Sequence, residues 1–206
     1  MTAMCKLLLA TNNPHKLAEY REILAGLPMQ LTSPRDEGLE IDPEETGRSF
    51  EENAVLKATA FAQASGLLTL ADDSGLEIDA LGGEPGIYSA RYHNTAKDDH
   101  AGRCRVVLNK LAAQQTPWAK RTARFKCVIA LANREKVFGT VSGAVEGLIA
   151  LEPKGSGGFG YDPIFFVPEL NKHMAELSAE AKHNISHRGR AARAALPLLK
   201  KICAAD

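Results

Sequence analysis

Between residues 6 and 16 the chain passes from a strand to a helix start with almost nothing between them. The run Lys6-Leu7-Leu8-Leu9-Ala10 is short and apolar, as a buried strand should be. The polar turn Thr11-Asn12-Asn13-Pro14-His15-Lys16 follows directly. Asn13 suits a helix cap, Pro14 suits the first helical position, and Leu17, Tyr20, Leu24 and Leu27 keep helical spacing. A strand that hands straight over to a helix is a βα unit, and such units must bury their apolar faces in layers.

The rest of the chain repeats and then varies this pattern. Ser49-Phe50-Glu51-Glu52 reads as a capping box, with Phe50, Ala54, Ala58 and Phe61 as an apolar stripe that Gly66 ends. The run Leu67–Ala71 predicts a second strand, and Leu76, Ile78 and Ala80 alternate as another short one. Residues 97–114 are amphipathic, with Cys104, Val107, Leu108 and Leu111 on one side. Residues 123–132 and 136–149 are β-rich and adjacent through the 133–136 turn, and 163–167 is a further apolar run. Helices are expected near 178–185 and from about 190, the last kinked or shortened by Pro197. No repeat, linker or low-complexity tract interrupts the 206 residues, which suit a single domain over 1–206. The expected class is α/β with a mixed central sheet flanked by helices.

Charge narrows the partners. Lys+Arg and Asp+Glu each number 25, so the whole-molecule field favours neither nucleic acid nor an anionic membrane. An anionic ligand must therefore be held locally. Cys5, Cys104, Cys127 and Cys203 are too far apart in sequence for a CxxC redox or zinc motif, and fit free thiols in a reducing cytosol. The first apolar run is too short for a signal peptide, and no segment is long enough to span a bilayer. A soluble cytoplasmic domain is expected.

Five segments hold candidate chemistry, each beside a plainer explanation. In the first loop, helix N–H groups, Thr11, Asn12, Asn13 and Lys16 could cradle phosphate, although GxxxxGK[ST] is absent. A capped helix start with a solvated lysine accounts for the same residues. Glu44 and Glu45 lie in a Pro/Gly-bounded loop, and Asn53 and Lys57 sit one turn apart on the following helix, as a ligand site or an ordinary polar face. At Asp72-Asp73-Ser74-Gly75, successive strand side chains point to opposite faces, so the two carboxylates are not expected to chelate one ion together. One could face a ligand through Mg²⁺, which takes one or two carboxylates plus phosphate oxygens, while the other braces a turn. An Asx turn alone would also explain the segment.

The glycine-rich stretch 155–160 flanks Phe159, an arrangement suited to close backbone approach and to stacking on a base. A glycine-rich hairpin turn would explain the glycines but not the aromatic. Lys182, His187 and Arg188 form a basic helix terminus. His183 and His187 stand at i, i+4 without a third ligand spaced to complete a zinc site.

Three blocks together resemble one family: residues 7–24 (LLLATNNPHKLAEYREIL), 71–92 (ADDSGLEIDALGGEPGIYSARY) and 155–169 (GSGGFGYDPIFFVPE) with the later SHRGRA. They are similar, in order and spacing from about residue 6 to 200, to the inosine/xanthosine triphosphate pyrophosphatases. That resemblance implies an elongated, two-lobed α/β fold with its active site in the cleft between lobes, and a homodimer. It also implies Mg²⁺-dependent hydrolysis of ITP, dITP and XTP to a nucleoside monophosphate and pyrophosphate, with Mn²⁺ as an alternative ion.

By position, Thr11, Asn12, Asn13, Pro14, His15 and Lys16 match the phosphate loop, and Glu44 and Asp73 the metal carboxylates. Asp73 also matches the catalytic proton acceptor. Asn53 and Lys57 match residues facing the triphosphate. Ser74, Phe159, Gly160, Tyr161, Asp162, Lys182, His187 and Arg188 match nucleotide contacts. Tyr161 stands where some members carry Trp, and Ala181 where an acid is common.

On this basis Asp73 deprotonates a water that attacks the α-phosphorus, while Lys16, Lys57 and the ion bear charge on the leaving pyrophosphate. A base site that donates to a 6-oxo group would reject adenine, whose 6-amino group is itself a donor. Two other classes stay open: a non-catalytic nucleotide- or RNA-binding module, and a broad-specificity triphosphate phosphatase. The first would release no pyrophosphate, and the second would release orthophosphate.

Overall fold

A computed structural model describes residues 4–96 and 98–204. Seven strands form one mixed sheet in the order β2-β1-β3-β4-β5-β6-β7. They are β1 (Cys5–Leu9), β2 (Met29–Thr32), β3 (Leu68–Ile78), β4 (Thr122–Ala132), β5 (Val137–Ile149), β6 (Phe165–Val167) and β7 (Lys172–His173). The α-helices are α1 (Pro14–Ile23), α2 (Phe50–Ser65), α3 (His100–Ala113), α4 (Ala179–Ile185) and α5 (His187–Cys203). The mixed α/β class expected from sequence is the one observed. None of the helices among the described residues is long and apolar enough to cross a membrane.

Local chemistry sets the first two helices. Asn13 Oδ1 accepts from the His15 and Lys16 N–H groups at 2.9 and 3.3 Å, with Pro14 at the first position where no donor is needed. Ser49 Oγ accepts from Glu52 N at 3.1 Å, while Glu52 reaches back to Arg48 N at 2.7 Å, one residue before the cap. Gly66 ends α2 in the left-handed conformation, φ 73°, which glycine adopts without a Cβ penalty.

Two compact units share the chain, and β3, β4 and β5 each contribute to both. The first is Met1–Asp73, Cys127–Gly143 and Arg188–Asp206. In it β1 pairs in parallel with β2 and β3, in registers such as Leu7↔Leu31 and Leu9↔Leu70. Its apolar interior forms two clusters. One joins Leu7, Leu9, Tyr20 and Leu24 to Ile129, Ala191, Ala195 and Leu199, and the other joins Leu8 to Ala54, Ala58, Phe61 and Ala130. The second unit is Ser74–Lys126 and Ala144–His187, with Leu76, Ile78, Val107, Leu111, Ile149, Ile164 and Phe165 in its core.

Three sequence expectations need correction, and one strand is added. The short strands expected at 67–71 and 76–80 are one eleven-residue strand, β3, and no turn lies at Asp72-Asp73-Ser74. The strand runs on because basic and amide groups compensate both carboxylates, so neither must leave the interior. The four-residue strand β2, Met29-Gln30-Leu31-Thr32, is an addition that the hydrophobic pattern does not mark. Pro197 lies inside α5, which continues to Cys203, so of the two expected effects the helix is not shortened. Finally, Cys5 and Cys203 are joined as a disulfide with a Cα–Cα distance of 5.6 Å. The fold brings the start of β1 to the end of α5, which no spacing rule could reveal across 198 residues. Cys104 and Cys127 are free and buried. The amphipathic stretch becomes α3, with Lys97 outside the described residues.

Candidate active site

The acidic pair of β3 is divided between two sets of partners, all within the first unit. Asp73 is held by α2: Asn53 Nδ2 donates to Oδ2 and Lys57 Nζ to Oδ1, each at 3.1 Å. Asn53 and Lys57 reach one carboxylate because residues four apart share a helix face. Asn53 is fully buried, and its Oδ1 accepts from Gly47 N at 2.8 Å, which ties the preceding loop to the strand. Gly47 has no room for a Cβ, since Asn53 and Glu52 fill that space. Lys57 also donates to Glu45 Oε1 at 2.7 Å, so a single ammonium bridges two carboxylates.

Electrostatics distinguish the two aspartates. Burial pushes the Asp73 carboxyl up from its ordinary range, with Lys57 and Lys16 opposing, so the net shift is upward. Burial acts on Asp72 in the same sense, but Lys16, Arg188 and Lys57 outweigh it and hold that carboxyl well below the usual range. For Lys57, the cost of burying an ammonium is overcome by Asp73, Asp72 and Glu45, which raise its pKa. Asp72 Oδ2 accepts from Lys16 Nζ at 2.9 Å and Arg188 at 3.4 Å, and Glu19 Oε2 holds Arg188 from its other amino group at 2.6 Å.

The loop Thr11–Lys16 is built as a helix entry. Thr11 Oγ1 accepts from Asn13 N at 3.1 Å, and Asn12 Nδ2 donates to Ile41 O at 2.9 Å. Asn13 is occupied by the cap, and Lys16 by Asp72. Glu44 is exposed and belongs to no ion pair among the described residues, whereas its neighbour Glu45 is linked through Lys57 to Asp73.

Whether these residues suit a divalent cation can be judged from the donor set. Asp73 and Glu45 present only hard oxygen donors, and both already converge on a positive charge, the Lys57 ammonium, while no group of three His, Cys, Asp or Glu side chains converges among the described residues. Mg²⁺ takes one or two such carboxylates and fills its shell with water and phosphate oxygens. The donor chemistry fits.

The second unit gathers the remaining predicted residues. Asp162 Oδ2 accepts from Phe159 N at 2.8 Å and Lys182 Nζ at 2.7 Å, and Lys182 lies 4.9 Å from the centroid of the half-buried Phe159 ring. Gly158, at φ 69°, lies so close to the Asp162 carboxylate that a Cβ would collide with it. That close approach is one reason for the glycine run. Tyr161 is a core residue whose hydroxyl donates to Ser89 O at 2.9 Å. His187 stacks on Phe125, with ring centroids 4.8 Å apart. Ser74 opens this unit and is half-buried.

Sequence reasoning did not single out Glu19, Cys127 or the choice of Glu45. Glu19 follows Lys16 by three residues on α1, a spacing that marks a shared face. Nothing local distinguishes Glu45 from Glu44. Cys127 approaches Asp72 Oδ2 at 3.7 Å from a strand 55 residues away, and burial pushes its thiol up to about 12.

The arrangement has close relatives. The model of the Ham1 family matches residues 7–198. A protein of Bacillus subtilis (strain 168) named dITP/XTP pyrophosphatase is 46% identical over 200 residues, covering 97% of this chain and 100% of that one. One of Geobacter sulfurreducens with the same name is 48% identical over 197 residues, covering 96% of each. A solved HAM1 protein from Coxiella burnetii superposes with a TM-score of 0.85 at 42% identity, covering 96% of this chain and all of that one.

Proposed function

The chain belongs to the Ham1 family, and from that premise we propose that it hydrolyses dITP, XTP and ITP to the nucleoside monophosphate and pyrophosphate. The observation that carries this is near-full-length identity of 46–48% to proteins named dITP/XTP pyrophosphatase. It is a hydrolase acting on the triphosphate anhydride, removing non-standard purine nucleotides from the pool.

Asp73 is the catalytic base in this scheme. It accepts a proton from the water that attacks the α-phosphorus, and its raised pKa suits that task, because a base works best with a pKa near the operating pH. Asn53 and Lys57 hold its two oxygens, which limits the directions in which the carboxylate can turn. Lys57 and Lys16 carry the charge that grows on the leaving pyrophosphate, and the helix start at Thr11–Lys16 receives the phosphates. Glu44 and Asp73 would hold Mg²⁺, or Mn²⁺ on the same oxygen donors, with Glu45 beside them. When bound, the ion neutralises phosphate charge and lowers the pKa of its water.

On the nucleoside side, Phe159 supplies a stacking face, and Ser74, Gly160, Tyr161, Asp162, Lys182, His187 and Arg188 complete the proposed contacts. The buried Lys182–Asp162 pair fixes the Phe159 backbone, so the ring is presented by a rigid turn. Donors that meet the 6-oxo group of hypoxanthine or xanthine would face another donor in adenine, a mismatch that can cost about 10⁴-fold. A homodimer and a cytoplasmic setting belong to the same proposal, supported by the family resemblance.

The experiment is a panel of triphosphates with Mg²⁺, scored for pyrophosphate, orthophosphate and monophosphate. ITP, dITP and XTP should turn over rapidly to pyrophosphate, with ATP and GTP poor. Orthophosphate as product, or equal kcat/KM for ITP and ATP, would sink it.

A further inference from the structure

Asp72 has no step in the chemistry above, yet it is the more deeply enclosed of the two aspartates. Its side chain is wholly buried. It belongs to a chain of four alternating charges, Lys16, Asp72, Arg188 and Glu19, with Lys16–Asp72 at 2.9 Å, Asp72–Arg188 at 3.4 Å and Arg188–Glu19 at 2.6 Å. The set begins and ends on α1, because Lys16 and Glu19 are three residues apart on one helix face.

Its geometry is lopsided. A purely structural carboxylate ion pair gains most when both oxygens are engaged, as in bidentate arginine pairs. Here Lys16 and Arg188 both bond Oδ2, whereas Oδ1 is buried without a hydrogen-bond partner among the described residues. Two cations on one oxygen compete. If Lys16 turns to another anion, Arg188 can take over the carboxylate, so Asp72 is never left without a counter-charge. Lys16 is also the member with the most side-chain exposure, 15% against 0% for Asp72 and 2% for Arg188. It is the one built to leave.

We propose that Asp72 is a positioning residue for the reaction: it holds the Lys16 ammonium at the phosphate loop, while Arg188 and Glu19 hold Asp72. The lysine is thereby delivered to the triphosphate from one defined place, and its charge is oriented before substrate arrives. A metal role for Asp72 is disfavoured by strand geometry, since it and Asp73 point to opposite faces of β3. The proposal rests on Lys16 being a phosphate contact.

A double-mutant cycle tests it, with kcat, KM and thermal unfolding measured for Asp72→Asn, Lys16→Ala and the pair. Asp72→Asn should lower kcat by roughly 10–100-fold, the cost of a misplaced group, with a smaller change in KM. In the Lys16→Ala background the same substitution should change kcat by no more than about twofold, because the residue it positions is gone. Asp72→Glu keeps a charge against Arg188, and so guards against simple unfolding. It should melt near the wild type yet lose roughly tenfold in kcat.

Costs that multiply in the double variant, or a folded Asp72→Glu with wild-type kcat, overturn the positioning role alone. A Lys16→Ala enzyme with unchanged kcat and KM overturns the phosphate-loop assignment, and the positioning role with it.

Discussion

The Lys57 ammonium lies 3.1 Å from Asp73 Oδ1 and simultaneously 2.7 Å from Glu45 Oε1. Burial alone would make Asp73 a weak acid with a high pKa, and Lys57 is the largest influence in the other direction. The proposed base is therefore tuned by two opposed effects of comparable kind, desolvation and an adjacent cation. Removing the cation must move the balance towards protonation.

Lys57→Met should accordingly shift the acidic limb of kcat/KM to higher pH, because the carboxylate loses the charge that favours its ionised form. It should also lower the plateau, through loss of the cation proposed to face the leaving group. A pH–rate profile between the variant and wild type reads both effects. An acidic limb that stays put, or moves to lower pH, would show that the group titrating there is not Asp73.

Asp73→Asn preserves shape and removes the proposed base. Turnover of ITP should fall by at least ~100-fold with little change in the melting temperature. Pyrophosphate release and circular dichroism on the same preparation check it. A folded variant with near-normal turnover would remove Asp73 from the mechanism.

Acid stability should report Asp72. Its folded pKa lies below the unfolded value, so it contributes stability that is present above about pH 4 and is lost as pH falls towards the folded pKa. Asp72→Asn leaves Arg188 with only part of its compensation and should cost several kcal/mol near neutrality, about 3–5 for a broken buried pair. The gap between wild type and variant should stay level down to about pH 5 and shrink below about pH 4. Chemical denaturation across that range measures it. A gap that widens as pH falls would contradict the assigned direction.

The Cys5–Cys203 disulfide closes a loop of 198 residues, so its main expected effect is on the unfolded chain. Reduction, or Cys5→Ser, should lower stability by about 2–4 kcal/mol and leave kcat within twofold, since neither cysteine is among the residues that hold Asp73 or Asp72. Melting with and without reductant, alongside a thiol count, tests this. Equal melting temperatures with two fewer free thiols in the oxidised protein would mean that the bond adds nothing.

The helix boundaries set by caps were legible locally. The caps at Asn13 and Ser49 and the stop at Gly66 operate within four residues and form as their residue types imply, except that Glu52 returns its bond to Arg48 N rather than to Ser49 N. The buried run of β1 and the helical stripe of α2 likewise carry their own periodicity. Local signals misled at Asp72-Asp73, where acids and a following Ser-Gly resemble a strand end. The strand continues there because its compensating groups come from elsewhere in the chain.

Those partners show where sequence ends and tertiary structure begins. Lys16 meets Asp72 across 56 residues, Arg188 meets Asp72 across 116, and Glu19 meets Arg188 across 169. Residue types and spacing were enough to place the capped helix start at Asn13 and the glycine–aromatic turn, because each is a local device. Only the fold decided that Glu45, not Glu44, shares a cation with Asp73, and that Asp72 holds Lys16 and Arg188 on one oxygen. A charge inside a protein is defined by what surrounds it, and those surroundings are assembled from distant segments by packing rather than by the sequence beside it.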